Sequence, residues 1–332
     1  MTSFVPEALP TRRAWGLGVA ACAALLPACH DGSDDTLASS DANTADGRTL
    51  TSAFTLQLSA EKKLSKLLPT KDVDHYEASG IVASNGALYV AFDNLTQIAA
   101  IDTSLGKGSL GPGTPTESQY EALTIAADGH FFAMIETVSA DDPRAEVVEL
   151  DADTAYLSEA LTDTTFQHVN KGFEGIAALS VSGADYLLAL CENNDCKDDD
   201  STPGEGRVKL LSKVGDVWTT QASLKIPESA AFLNYSDLAL RDNGDGTYAA
   251  AVVSRKSSAL WLGTLTSSPW TFTGPSTFYV FPRTDQGMVH YCSVEGITFL
   301  GPSVLAAVSD KSDGSSPCSD EEESIHVFHL PD

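Results

Sequence analysis

Polar and apolar residues alternate along most of this chain, in short bursts separated by turn residues. Leu50 to Ser59 sets Leu50, Ser52, Phe54, Leu56 and Leu58 against Thr51, Ala53, Thr55 and Gln57, the period of two that rests one face of a strand on a core. No long segment carries an apolar stripe at the helical period, so the pattern predicts an all-β chain. Ala60 to Leu68 has room for a short helix, with Lys62, Lys63 and Lys66 solvated.

The bursts repeat. A small or acidic residue, then a small residue, then Ile or Leu opens a strand at Ser79-Gly80-Ile81, Glu121-Ala122-Leu123, Glu174-Gly175-Ile176, Ser236-Asp237-Leu238 and Glu295-Gly296-Ile297. Each opening leads through a turn into a second strand: Ala87 to Phe92, His130 to Ile135, Asp185 to Leu190, Thr247 to Val253 and Val304 to Val308. Third strands follow at Gln97 to Asp102, Ala145 to Leu150, Arg207 to Leu211, Ala259 to Leu265 and Ser324 to Leu330. The openings lie roughly 40 to 60 residues apart, the spacing of propeller blades. Outer strands are expected near Thr164 to Val169, Val217 to Ile226 and Thr271 to Phe281. The last blade has three strands of its own, and the N-terminal strand supplies its fourth, which removes an exposed edge. The expectation is therefore a five-bladed β-propeller over residues 50–332, closed by an N-terminal strand. A sandwich of look-alike hairpins is the competing reading.

Composition adds the setting. The 332 residues are 42% hydrophobic and 20% charged, ample for a buried core, and 25 Gly with 15 Pro mark frequent turns. A formal net charge of -26 repels nucleic acid and anionic headgroups and suits hard cations such as calcium, although solubility alone also explains it. Residues 1–28 read as a lipoprotein signal peptide: Arg12-Arg13, an apolar run from Ala14 to Leu26, and Leu26-Pro27-Ala28-Cys29, a lipobox that would leave the lipid on Cys29. An ordinary signal peptide with an incidental cysteine is the alternative. Residues 29–49 are Asp-, Ser-, Thr- and Gly-rich, a flexible tether that places the domain outside the cytoplasm on a membrane, the outer one in a Gram-negative cell. Cys191, Cys196, Cys292 and Cys318 remain, an even number suited to an oxidising compartment, and the short-range pairs 191–196 and 292–318 are expected. A zinc site competes poorly, because no Cys-x-x-Cys spacing or paired His supports it.

In a propeller the start of each inner strand points at the central axis. Ser79, Glu121, Glu174, Ser236 and Glu295 hold that position, and three carboxylates converging on one axis must protonate, be solvated or share a cation. Calcium is the natural guest; the plain alternative is that Glu-Gly is a turn preference. The second-to-third-strand loops open on the same face. They bring Arg255, Lys256, Lys311 and Asp310 as an anion-binding set, and Glu136, Glu192 and Asp93 as candidate general bases. His326 and His329 lie three apart on a strand and read as structural. Asp242 to Gly246 reads as a hairpin turn.

The order Ser-Glu-Glu-Ser-Glu is similar to that of the calcium-activated apyrases, five-bladed propellers in which such residues ring a central calcium. Phe92-Asp93-Asn94-Leu95-Thr96-Gln97 stands where that family has a Phe-Asp-Asp-Arg-Thr-Gly-like segment, and Val294-Glu295-Gly296-Ile297-Thr298-Phe299 resembles its last blade opening. Leu95 replaces the arginine, Asn94 the second aspartate, and Cys191-Glu192-Asn193 a run of arginines, so the cations a phosphohydrolase needs are missing. Asn170 to Ala177, Tyr186 to Asn193 and Val253 to Trp261 resemble segments of uncharacterised secreted bacterial propellers, a likeness that implies a fold and no reaction. The expected function is a monomeric ligand-binding or interaction module with a central calcium, its partners a membrane and a small anionic ligand or a protein. The alternatives are a calcium-dependent hydrolase of phosphorylated or other anionic substrates and, further off, a glutaminyl-cyclase-like enzyme, since those propellers also use Glu-Gly-Leu openings. Nucleic acid is not expected as a partner.

Overall fold

The computed structural model describes residues 44–45, 48–49, 53–69, 73–115, 119–137, 139, 141–167, 171–197, 202–311 and 318–331. The expected signal peptide, Cys29 and most of the tether lie outside them. Among the described residues no helix is long and apolar enough to cross a membrane.

Apart from a short pair, Thr44–Ala45 with Arg48–Thr49, and the strand Phe54–Thr55, the described strands fall into five antiparallel units. Blade one is Ala78–Ser84, Ala87–Phe92, Gln97–Asp102 and Gly108–Gly113; blade two is Tyr120–Ile125, Phe131–Ile135, Arg144–Leu150 and Tyr156–Thr165. Blade three is Phe173–Val181, Ala184–Cys191, Arg207–Val214 and Val217–Lys225; blade four is Asp237–Asp242, Thr247–Ser254, Ala259–Ser267 and Trp270–Val280. Blade five takes Val294–Gly301, Val304–Ser309 and Ser324–His329 from the end of the chain and Gln57–Lys63 from its start. A single parallel bridge, Thr162 to Trp218, joins the outer strands of blades two and three into one eight-stranded sheet.

The core shows how the units close on themselves. Each of five buried apolar clusters lies between neighbouring blades: Ala91 and Ile98 against Leu123 and Phe131, then Met134 and Val147 against Ile176 and Leu187. Leu188 and Leu210 meet Leu238 and Trp261, Val253 and Leu260 meet Ile297 and Leu305, and Val308 and Ile325 return to Ile81 and Leu88. Apolar area is thus buried between blades all the way round, which is what makes a propeller stable.

The small second residue of each opening has a steric cause. A Cβ on Gly80 would sit 2.6 Å from the Leu123 amide, and one on Gly175 would sit 2.7 Å from that of Leu238, so adjacent inner strands can approach only where side chains are absent or tiny. Asp237 takes this place in blade four, and it uses its carboxylate as a bridge. Its oxygens accept the Leu238 amide at 2.7 Å and the Ile297 amide of the next blade at 2.8 Å.

Three expectations shift. The closing strand runs Gln57–Lys63, further along than Leu50 to Ser59, while Phe54–Thr55 adds in parallel to blade four. Only Leu64–Leu67 is helical, because residues 57–63 are drawn into the sheet. Lys62 and Lys63 are not simply solvated: Lys62 donates to the Leu105 carbonyl at 2.8 Å and Lys63 to that of Glu322 at 2.5 Å. The outer strand of blade two is Tyr156–Thr165, displaced from 164–169. Both expected disulfides, Cys191–Cys196 and Cys292–Cys318, are formed, which is compatible with an extracytoplasmic location.

Candidate functional site

In antiparallel pairing the start of a blade's first strand lies beside the end of its second. Four of the five openings carry a β-bulge there. Ala78 pairs with Phe92 and Gly80 with Ala91, which leaves Ser79 as the extra residue; Glu121, Glu174 and Glu295 are left out of register in the same way. A bulge bends the strand and re-aims its unpaired residue, so it turns the ring candidates away from the ladder. Ser236 stands just before its strand, where its amide donates to the Val253 carbonyl.

The same geometry creates a second set. Asp93, Glu136, Glu192, Arg255 and Asp310 each follow directly on the end of a second strand, beside the opening of their own blade. The two sets together hold seven carboxylates, two hydroxyls and one guanidinium.

Their charges sense one another. Burial pushes the Glu121 carboxyl well above its usual range, helped by repulsion from Glu136, Asp93 and Glu295. Burial does the same at Glu174, with Glu121, Glu192, Glu136 and Glu295 adding to it. Asp310 is raised to about 7, first by burial, and Asp93 is raised by burial and by Glu77. Glu121 and Glu174 thus each feel the charge of the other and of Glu295. Two cations answer them. Arg255 Nη1 donates to Glu295 Oε1 at 2.6 Å, and its charge is held more firmly by Glu295 and Glu174. Lys171 Nζ donates to both oxygens of Glu192, at 3.0 and 2.8 Å.

The ligand atoms closest together belong to Glu136, Glu174 and Glu192, all within 4.8 Å of one another. Glu136 and Glu192 are buried at 7% and 4% exposure, and Glu174 is half-buried. The two serines are turned to the backbone: Ser79 Oγ donates to the Tyr120 carbonyl, and Ser236 Oγ accepts the Arg255 amide at 3.0 Å. Lys256 and Lys311 are exposed at the rim; the Lys256 amide donates to Asn234 and the Lys311 amide to Asp310. The donor set is wholly oxygen, which fits calcium and not a thiophilic or imidazole-seeking metal.

Sequence reasoning did not single out Lys171 or the backbone-bridging Asp237. It also missed a second cluster on blade five, where Glu61, Glu321 and His326 bring ligand atoms within 4.8 Å of one another. Asp242 to Gly246 is a turn, with Gly244 and Gly246 at φ 79° and 85°.

No protein family model and no curated protein sequence matches the chain. Solved structures resemble it only in outline. A GH43_1 enzyme from Xanthomonas citri shares 12% identity at a TM-score of 0.48, over 78% of this chain and 89% of that one. The PQQ-bound aldose sugar dehydrogenase from Streptomyces coelicolor shares 12% at 0.45, over 81% and 98%. The Dos1 propeller shares 10% at 0.41, over 77% of this chain and 63% of that one, so the chain spans less than two thirds of it. Such similarity speaks to fold alone.

Proposed function

We propose that this chain is an extracytoplasmic propeller, anchored through a lipid on Cys29, that holds a calcium ion between its two axial sets and uses it to bind an anionic ligand. One observation carries the reading: Glu136, Glu174 and Glu192 bring carboxylate oxygens within 4.8 Å of one another at the ends of neighbouring blade strands. Glu136, Glu174 and Glu192 supply the closest donors, with Glu121 beside them, and calcium tolerates the irregular shell such groups form. Bound calcium presents an open positive face to a carboxylate or phosphate, with the exposed Lys256 and Lys311 at the rim. Binding is favoured over turnover because Arg255 and Lys171 are each engaged by a carboxylate and do not stand ready to stabilise a transferring group.

Calcium added to chelator-treated protein in a calorimeter should bind once per chain, with Kd on the order of 10⁻⁶ to 10⁻³ M. Glu174→Gln should abolish that binding while raising the melting temperature of the chelated protein, since it removes one repelling charge. Identical titrations of wild type and variant, or no heat at all, would sink the calcium site. Calcium-dependent release of phosphate from a nucleotide would convert the reading to a hydrolase. For the anchor, radiolabelled palmitate should enter the wild type and not Cys29→Ala; equal labelling excludes it.

A further inference from the structure

Blade five closes the ring with strands from opposite ends of the chain, and polar groups are buried at that seam. Glu61 on the closing strand Gln57–Lys63 is the direct cross-strand partner of His326 on Ser324–His329. His326 is fully buried; its Nδ1 lies 2.9 Å from Glu61 Oε2, and its Nε2 lies 2.9 Å from Ser309 Oγ. Glu321, 8% exposed, turns Oε1 to His290 Nε2 at 3.0 Å. Its other oxygen, Oε2, is buried and meets no hydrogen-bond donor. The loops bearing His290 and Glu321 are joined by the disulfide Cys292–Cys318.

From this geometry we propose that Glu61, Glu321 and His326 form a zinc site that staples the two ends of the chain together, with His290 holding Glu321 in place from behind. One imidazole and two carboxylates, with the fourth position left to water, are a donor set zinc accepts, in contrast to the all-oxygen axis. The His326–Glu61 pair at 2.9 Å needs to open by only about 0.4 Å to become an edge of a tetrahedron with metal–ligand bonds of about 2.0–2.1 Å, and Glu321 already lies within 4.8 Å of both. Ser309 suits either state. Without metal its hydroxyl donates to Nε2 while Nδ1–H faces Glu61; with zinc on Nδ1 it accepts the proton carried by Nε2, which is how ligating imidazoles are ordinarily fixed. The buried Glu321 oxygen that meets no donor is open to a metal or, without one, to a proton shared with Glu61. The inference stands apart from the axial calcium, and its test saturates that site first.

The full mature chain, saturated with calcium, is titrated with zinc and melted. One zinc per chain is expected, with a rise of about 5–10 °C at free zinc a hundred times Kd. Cobalt in its place should give the visible absorption of a tetrahedral nitrogen–oxygen site. Glu321→Gln and His290→Ala, neither of which empties the core, should each weaken zinc by at least about tenfold and extinguish the cobalt band. Absence of a zinc-induced shift, or zinc binding that both variants retain, overturns the site and leaves a carboxyl pair sharing a proton.

Discussion

The axial face and the blade-five seam both gather carboxylates, yet they differ in what can neutralise them. On the axis, beside Glu121, Glu136 and Glu174, Lys171 pairs with Glu192 and Arg255 with Glu295. At the seam, Glu61 faces His326 and Glu321 faces His290. Burial tends to raise Glu61, but hydrogen bonds with His326 and Glu321 bring it down to about 2, while burial and the facing Glu61 push Glu321 up to about 8. One carboxyl gives up its proton early and the other keeps it. The axial acids are thus paired with an ammonium and a guanidinium, the seam acids with imidazoles.

Arg255 is where that contrast can be broken most forcefully. Arg255→Met leaves the buried Glu295 carboxylate without its ion pair, so chelated protein should lose about 1–2 kcal/mol, a figure reduced for the partial exposure of the arginine. The axis then carries one more uncompensated charge, and calcium should bind several-fold more tightly than in wild type, while zinc at the seam is unaffected. Denaturant melts with and without calcium read both effects. A calcium affinity that fell instead would mean Arg255 organises the site and does not merely offset its charge.

The propeller was legible because its opening triplets encode two requirements at once, an apolar strand and a gap for the neighbouring strand. Gly80 and Gly175 fill that gap by having no side chain, and the residue before each is the one a bulge expels. The fourth strand of blade one was not legible. Gly108–Gly113 reads as turn sequence, but a Cβ on Gly108 would lie 2.6 Å from Ile101 and one on Gly111 2.3 Å from Thr154, so its glycines answer to close packing. Long range hid the seam: Glu61 and His326 meet across 265 residues of chain, and nothing local marks either. The axial acids were visible as letters, but their second row, from Asp93 to Asp310, gains its meaning only from the register that sets it beside the first.

A smaller effect separates the two clusters by pH. An acid whose folded pKa is raised binds its proton more tightly in the native state than in the unfolded one, so it stabilises the fold at low pH. That contribution is lost as pH rises from the unfolded pKa to the folded one. For Asp310 the window runs from 3.8 to about 7, and for Glu321 from 4.5 to about 8, with Glu121 and Glu174 also raised. In chelator the melting temperature should therefore fall between pH 5 and 8, by on the order of 5 °C. Calcium should flatten the part due to the axis, since a bound cation replaces the protons there. The remainder should persist in calcium and vanish in Glu321→Gln, whose amide holds no titrating proton. If calcium alone abolished the whole slope, the seam would contribute nothing, and the two clusters would not titrate independently.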